Sequence, residues 1–331
     1  MKATFAELEL PDAVRDDIGE RLAALPDPAP DIDRAMTRYH RVFAALPTEL
    51  LQQVLDFGRH IDTPGVALVR NLPVDRDLPP TPVDGGPSTA KRGFVAEGVL
   101  LGLSGLLGEP VGVLTEKEGR LIHDVVPVPG GESTQTNQGS AVFLNFHSDI
   151  THDPAGRWDV ANPDFLVLNC LRGDPSGTAA TYYADARDIC GQLADGALEA
   201  LRSPLFRLNA PGSYTRDVAG GAEVLSDPVP IVSGSRDFPG IAVSANGVRP
   251  LTRGAAAALE LLHEACRATA HAVRLEPGTA LLVNNRKGVH ARSEFTARYD
   301  GRDRWLQRTY VRRNLWDIRY RVTPGDRRVH H

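Results

Sequence analysis

His147, Ser148 and Asp149 follow directly on the strand-like run Ala141-Val142-Phe143-Leu144-Asn145-Phe146. A strand throws residues i and i+2 to one face, so this imidazole and this carboxylate aim at one spot. With a third ligand from a distant strand they make a facial triad, which holds divalent iron and leaves positions open for a co-substrate and oxygen. The spacing alone is not specific. His60-Ile61-Asp62 repeats it at the end of a helical pattern, where ordinary hydrogen bonding explains it.

A second cluster lies near the C-terminus. The strand-like Thr279-Ala280-Leu281-Leu282-Val283 runs into Asn284-Asn285-Arg286-Lys287-Gly288-Val289-His290. A turn at Tyr299-Asp300-Gly301-Arg302 then precedes a return strand that starts near Arg304 and continues through Arg308. Four residues apart on a strand, the two arginines share a face. A hairpin is expected to bring that face beside His290. Arginines buried at a metal site are costly unless they meet anions, and guanidinium forks match carboxylates. Two of them suggest two carboxylate ligands.

These residues need strands to carry them, and the pattern supplies strands. Short strand candidates occur at Leu121–Pro127, Ala141–Phe146, Phe165–Leu171, Thr178–Tyr183, Gly240–Ser244, Thr279–Val283 and Trp305–Arg312, separated by Pro/Gly turns. Without regular helix alternation they predict an antiparallel barrel or jelly roll, not a doubly wound sheet. Before them, apolar residues at helical spacing predict helices over Asp12–Leu25, Asp31–Ala45 and Thr48–His60. A further helix is expected over Phe94–Leu107, and another after Thr252 as cap, with Leu259, Leu262 and Cys266 inward. The Pro/Gly-rich segment 78–87 is a loop and a candidate wall or lid. One domain is expected over 1–331, with a helical layer over 1–64 and the strand-built core from about residue 65.

Composition removes other classes. The 331 residues carry 37 Lys+Arg against 42 Asp+Glu, and this slight acidity argues against nucleic-acid binding. No apolar run is long enough to span a membrane, and the acidic start MKATFAELELPDAVRDD has no signal core, so a cytoplasmic location is expected. Three cysteines without a CxxC pair suggest neither a disulfide framework nor a thiolate zinc site. A small-molecule ligand is expected; the oligomeric state is not legible.

The chain resembles the clavaminate synthase-like group of Fe(II)/2-oxoglutarate-dependent oxygenases, which includes arginine hydroxylases, asparagine oxygenase and lysine dioxygenases. The segments that carry the likeness are LPPTP (78–82), HDVVPVPG (123–130), NQGSAVFLNFHSD (137–149), PDFLVLNCLRGDP (163–175) and NNRKGVHARSEFTARYDGRDRWLQRTYV (284–311). The resemblance implies a double-stranded β-helix core, mainly β with flanking helices (α+β). It implies iron held by His147, Asp149 and His290, with 2-oxoglutarate and O2 as co-substrates. It implies that Arg304 and Thr178 hold the far carboxylate of 2-oxoglutarate, that Arg308 holds the α-carboxylate of an amino-acid substrate, and that Glu116 meets its amino group.

Two departures narrow the reading. The group usually carries HxE, whereas this chain has HxD at 147–149; Asp is a competent, shorter ligand, and its presence argues against a halogenase. Where the arginine and lysine hydroxylases place an Asp-x-Asp pair against a cationic side chain, this chain has Ser244 and Asn246. A buried cation would lack its partner there. The substrate expected is therefore a free L-amino or imino acid with a neutral or cyclic side chain, hydroxylated at an unactivated C3 or C4 in natural-product biosynthesis. For an arginine- or lysine-like substrate, Asp153, Asp227 or Asp237 would have to supply charge. The same iron site would also serve desaturation, cyclisation or epoxidation of a larger intermediate, and the same three ligands would serve a non-redox metal-binding jelly roll or a zinc hydrolase. His123-Asp124 reads as ordinary hydrogen bonding. His152-Asp153 and the stretch Gln135, Asn137 and Gln138 are candidates to frame the pocket.

Overall fold

The computed structural model describes residues 4–150, 162–217 and 220–330. Two sheets form its centre. The larger holds β1 (Phe5–Glu9), β2 (Val66–Arg70), β3 (Glu109–Val113), β4 (His123–Val125), β6 (Phe165–Arg172), β13 (Ala280–Asn284), β15 (Trp305–Arg312) and β16 (Arg328–Val329), in the order β1-β2-β13-β6-β15-β3-β16 with β4 also on β15. The smaller holds β5 (Leu144–His147), β7 (Thr181–Asp185), β12 (His271–Val273) and β14 (Gly288–Arg292), in the order β12-β7-β14-β5. Two ribbons complete the strands, β8 (Phe206–Leu208) with β11 (Val248–Pro250), and β9 (Val232–Gly234) with β10 (Pro239–Ile241).

Period-2 alternation decides what each face of a sheet meets. On the large sheet, Ala67, Val69, Phe165, Val167, Ala280, Leu282 and Val311 pack outward against the helices α1 (Asp12–Ala23), α2 (Ile32–Phe43), α3 (Thr48–Arg59) and α4 (Val95–Leu107). Their neighbours Leu68, Leu166, Leu281 and Leu306 pack inward with Tyr183 and Val273 of the small sheet. The outer face of the small sheet, with Ala184, Val289 and Ala291, lies under α5 (Ala186–Gln192), α6 (Asp195–Arg202) and α8 (Arg253–Thr269). The remaining described α-helix is α7 (Gly212–Asp217). Helix α4 is buried nearly all round, and at Gly102 an added Cβ would stand 2.2 Å from the Phe43 ring, so only glycine permits this approach of α4 to α2. The expected Thr252 cap is present, accepting from Ala255 N, and Asp31 caps α2 by accepting from Arg34 N.

The structure departs from the sequence-based expectations in four places. Residues 5–9, inside the stretch expected to be helical, form β1, which runs parallel to β2. The strand expected from Thr178 begins only at Thr181, because the Asp174 carboxylate gathers Ser176 and the amides of Thr178 and Ala179 into a turn. Segment 78–87 does not line the main cavity; Thr81 binds Gly301 and Asp303 and so straps the approach to β15. Finally, His290 and the two arginines are not joined by a hairpin: β14 and β15 belong to different sheets and face each other across the interior.

Candidate active site

His290 and His147 are opposite residues in the antiparallel β14–β5 pairing, with ring centroids 4.2 Å apart. Asp149 follows two residues after His147, with Oδ1 at 3.9 Å from His147 Nε2 and Oδ2 at 3.5 Å from His290 Nε2. Ligand atoms of all three lie within 4.8 Å of one another, and all three residues are buried. His147 Nδ1 is engaged with Asn145 O at 2.7 Å, which leaves Nε2 toward the cluster. Asp149 Oδ2 is buried without a hydrogen-bond partner. A buried carboxylate oxygen facing two imidazole nitrogens fits a divalent metal and is costly without one.

Electrostatics keep the three groups in ligating form. Burial pushes His290 down to about 3, aided by its neighbour His147, and burial also lowers His147. Burial opposes ionisation of Asp149, but the carboxyl is held below its usual range, with the Arg308 guanidinium the largest opposing influence.

Arg308 reaches into the same space. Its guanidinium donates to Asp149 Oδ1 and Glu116 Oε2, each at 3.3 Å, and stacks over Tyr310 at 4.6 Å. Tyr310 in turn donates to Glu116 Oε2 at 2.8 Å. Glu116 precedes Lys117 and Glu118, two consecutive non-glycine residues with φ of 49° and 60°. Strain of about 1–3 kcal/mol per residue is thus held beside the site. His123, opposite Arg308 in the β4–β15 register, binds Arg120 O through Nε2 and faces Arg308 with Nδ1. The His123-Asp124 dipeptide by itself suggests only ordinary hydrogen bonding; the signal for a place in the site is its β4 position opposite Arg308.

Arg304 is buried, and its one hydrogen bond in the described residues is to Thr181 Oγ1 at 3.4 Å. It has no carboxylate partner among them. Thr178 stands apart: it is exposed, bonded to Asp174 and Ser176, and outside the cavity that Thr181 and Arg304 line. The threonine beside Arg304 is therefore Thr181, displaced from the expected position by the Asp174 turn.

That cavity, about 740 Å³, is also lined by Glu116, Arg308, Ser244 and Asn246. Ser244 Oγ donates to Asn209 O and accepts from Asn246 N, a closed turn. Gln135, Asn137 and Gln138 line the same cavity. Asp227 and Asp237 are exposed and do not line it, and His152 and Asp153 lie outside the described residues. His60, at the end of α3, is exposed and pairs with Asp56.

Behind β15 is a buried polar network. Trp305 Nε1 donates to Asp124 at 2.6 Å, and Gln307 donates to Glu97 at 2.8 Å. Lys91 bridges Glu97 and Asp75, at 2.7 and 2.9 Å, while Asp75 accepts from the first amides of α4. The strand's inward arginines thus alternate with outward side chains that are themselves tied down.

Residues 42–310 match the model of the taurine catabolism dioxygenase TauD, TfdA family. The chain is 38% identical over 315 residues to L-asparagine oxygenase of Streptomyces coelicolor, covering 95% of this chain and 89% of the relative. The chain belongs to the TauD/TfdA dioxygenase family. It is 32% identical to L-lysine 3-hydroxylase of Catenulispora acidiphila, over 81% of this chain and 73% of that one. A solved structure of asparagine oxygenase with Fe(II), 2S,3S-3-hydroxyasparagine and succinate superposes with a TM-score of 0.87 at 34% identity, covering 98% of this chain and 99% of that one. The oxygenase OrfP with Fe and alpha-ketoglutaric acid superposes at 0.79 and 25% identity, with the same coverage. This TauD/TfdA member is an iron- and 2-oxoglutarate-dependent oxygenase with the jelly-roll core of its relatives. A zinc hydrolase or inert metal protein is set aside by that membership. No described helix is long and apolar enough to cross a membrane.

Proposed function

We propose that the chain hydroxylates a free L-amino or imino acid with a neutral side chain, with carbon 3 the favoured position. The observation that carries this reading is the pair Arg304, immediately before β15, and Arg308 on it, both lining the cavity of the triad, whose side-chain end is polar but lacks an acidic pair at Ser244 and Asn246. A carboxamide fits such uncharged donors and acceptors, and it requires no buried counter-charge. The relatives favour carbon 3: one is a lysine 3-hydroxylase and another is solved with 3-hydroxyasparagine.

In this reading His147, Asp149 and His290 hold Fe(II). With 2-oxoglutarate and O2 the metal supplies the oxidation, releasing succinate and carbon dioxide. The protein's part is placement. Arg304 and Thr181 take the far carboxylate of the co-substrate. Arg308 takes the substrate α-carboxylate, and Glu116, already within its reach, takes the ammonium group. Burial raises the Glu116 carboxyl, so Arg308 and the incoming ammonium are needed to keep it ionised. Holding both ends of a zwitterion fixes which C–H faces the metal.

The test is succinate formation from 2-oxoglutarate with anaerobically added Fe(II), across L-amino acids including asparagine, glutamine, citrulline, pipecolate, arginine and lysine. Stimulation by a neutral or cyclic compound, with a product heavier by one oxygen atom, supports the reading. Stimulation confined to arginine or lysine overturns the side-chain assignment.

A further inference from the structure

Arg292 is buried on β14, two residues beyond His290 and facing the same cavity. Its guanidinium donates to Gly139 O, to Val142 O at 2.9 Å and, through Nε, to Ser293 O at 3.0 Å. All three acceptors are backbone carbonyls. They give each guanidinium nitrogen one acceptor but leave the positive charge without a carboxylate among the described residues. Arg304 is in the same condition, with Thr181 its one partner there. The two guanidiniums share the ring of Phe295, at 5.4 and 6.0 Å from its centroid. Two adjacent buried cations with no carboxylate partner among the described residues are destabilising as they stand, and a carboxylate entering at Arg304 reverses the sign of the local field.

We propose that Arg292 is a second cation of the co-substrate pocket, a positioning residue that attracts the far carboxylate of 2-oxoglutarate by charge while its hydrogen bonds hold the wall at residues 139–142. This rests on the co-substrate reading above. The wall it holds lies between Gln138 of the cavity lining and β5, which carries His147, so the same side chain joins the co-substrate end of the site to the substrate end.

The experiment is anaerobic calorimetric titration of the Mn(II)-loaded full chain with 2-oxoglutarate and, separately, with pyruvate, which keeps the 2-oxo acid but lacks the far carboxylate. Arg292→Met is expected to weaken 2-oxoglutarate binding roughly tenfold, the effect of about 1.4 kcal/mol, and to leave pyruvate binding unchanged. Arg292→Lys, which keeps the charge but cannot reproduce the fork to the carbonyls, is expected to bind 2-oxoglutarate within about threefold of the parent. Thermal unfolding of both variants reports the wall separately. Equal losses in Met and Lys variants, equal losses for both ligands, or no loss in either variant would overturn the proposal. A parent chain that takes up Mn(II) but binds no 2-oxoglutarate would overturn the co-substrate reading, and this proposal with it.

Discussion

The side-chain amide of Asn285 brackets the backbone of Asp149: its Oδ1 accepts from Asp149 N at 2.8 Å and its Nδ2 donates to Asp149 O at 3.0 Å. Asn285 is fully buried and also donates to Pro163 O. It sits in the turn between β13 and β14, so the turn that delivers His290 also fixes the loop that presents Asp149. Two ligands from distant segments are thereby set by one residue that ligates nothing.

Asn285→Ala removes all three side-chain bonds and leaves buried backbone groups unpaired, at a cost of about 1–3 kcal/mol per group. Metal affinity is expected to fall by about tenfold or more, as for other residues that orient ligands. Thermal unfolding and Mn(II) titration followed by electron paramagnetic resonance read the two effects; a variant with unchanged metal affinity would show that Asp149 is held by other contacts.

Thr181 and Thr178 give opposite predictions. Thr181→Val removes the hydroxyl beside Arg304 and should weaken 2-oxoglutarate binding by about two- to tenfold, the range for one hydrogen bond. Thr178→Val, on the exposed turn at Asp174, should leave that affinity unchanged. Anaerobic titration of both variants checks the assignment, and a loss confined to Thr178→Val would reverse it.

Asn246→Asp places a carboxylate in the cavity without disturbing the bonds that Ser244 makes. The ratio of kcat/KM for lysine or arginine over that for the best neutral substrate should rise at least about tenfold, equivalent to about 1.4 kcal/mol of transition-state binding. An unchanged ratio in competition assays would place the side-chain end of the substrate elsewhere.

Burial, with Arg308 adding, pushes His123 down to about 3. Its Nδ1 faces the Arg308 guanidinium, so the folded protein binds it neutral, whereas the unfolded chain protonates it below about 6.5. The unfolded state therefore binds the extra proton between these values, and stability falls as pH drops from about 6.5 toward 3, by up to about 1.4 kcal/mol per pH unit from this residue. Urea unfolding at pH 7 and pH 5 should show a smaller pH difference in His123→Gln than in the parent chain.

Local pattern revealed much of this architecture. HxD after a strand, the spacing of Arg304 and Arg308, and the boundaries of β15 are properties of a few consecutive residues, and the structure places them as read. What the sequence did not reveal depends on contacts between distant segments. The parallel pairing of Phe5–Glu9 with β2 has no local signature. The Asp174 turn shifts the start of β7 by three residues, which moves the threonine of the pocket from 178 to 181. The opposition of His123 to Arg308 exists only in the β4–β15 register, and the crossing from β14 to β15 passes between sheets where a hairpin was the simpler geometry.

Arg304 immediately precedes β15 and Arg308 lies on it four residues later, at most about 13 Å along the chain at a rise of about 3.3 Å per residue, and Trp305 and Gln307 between them are locked to Asp124 and Glu97 on the outer side. The strand behaves as a ruler. In the proposed enzyme, distance is counted from the carboxylate end of the substrate, so the carbon oxidised is set by β15 and not by what fills the far end of the cavity. Substrate range can then drift through replacements near residues 244–246 while the position of attack stays fixed, and one scaffold can yield a series of products that differ in side chain but carry their new oxygen at the same place.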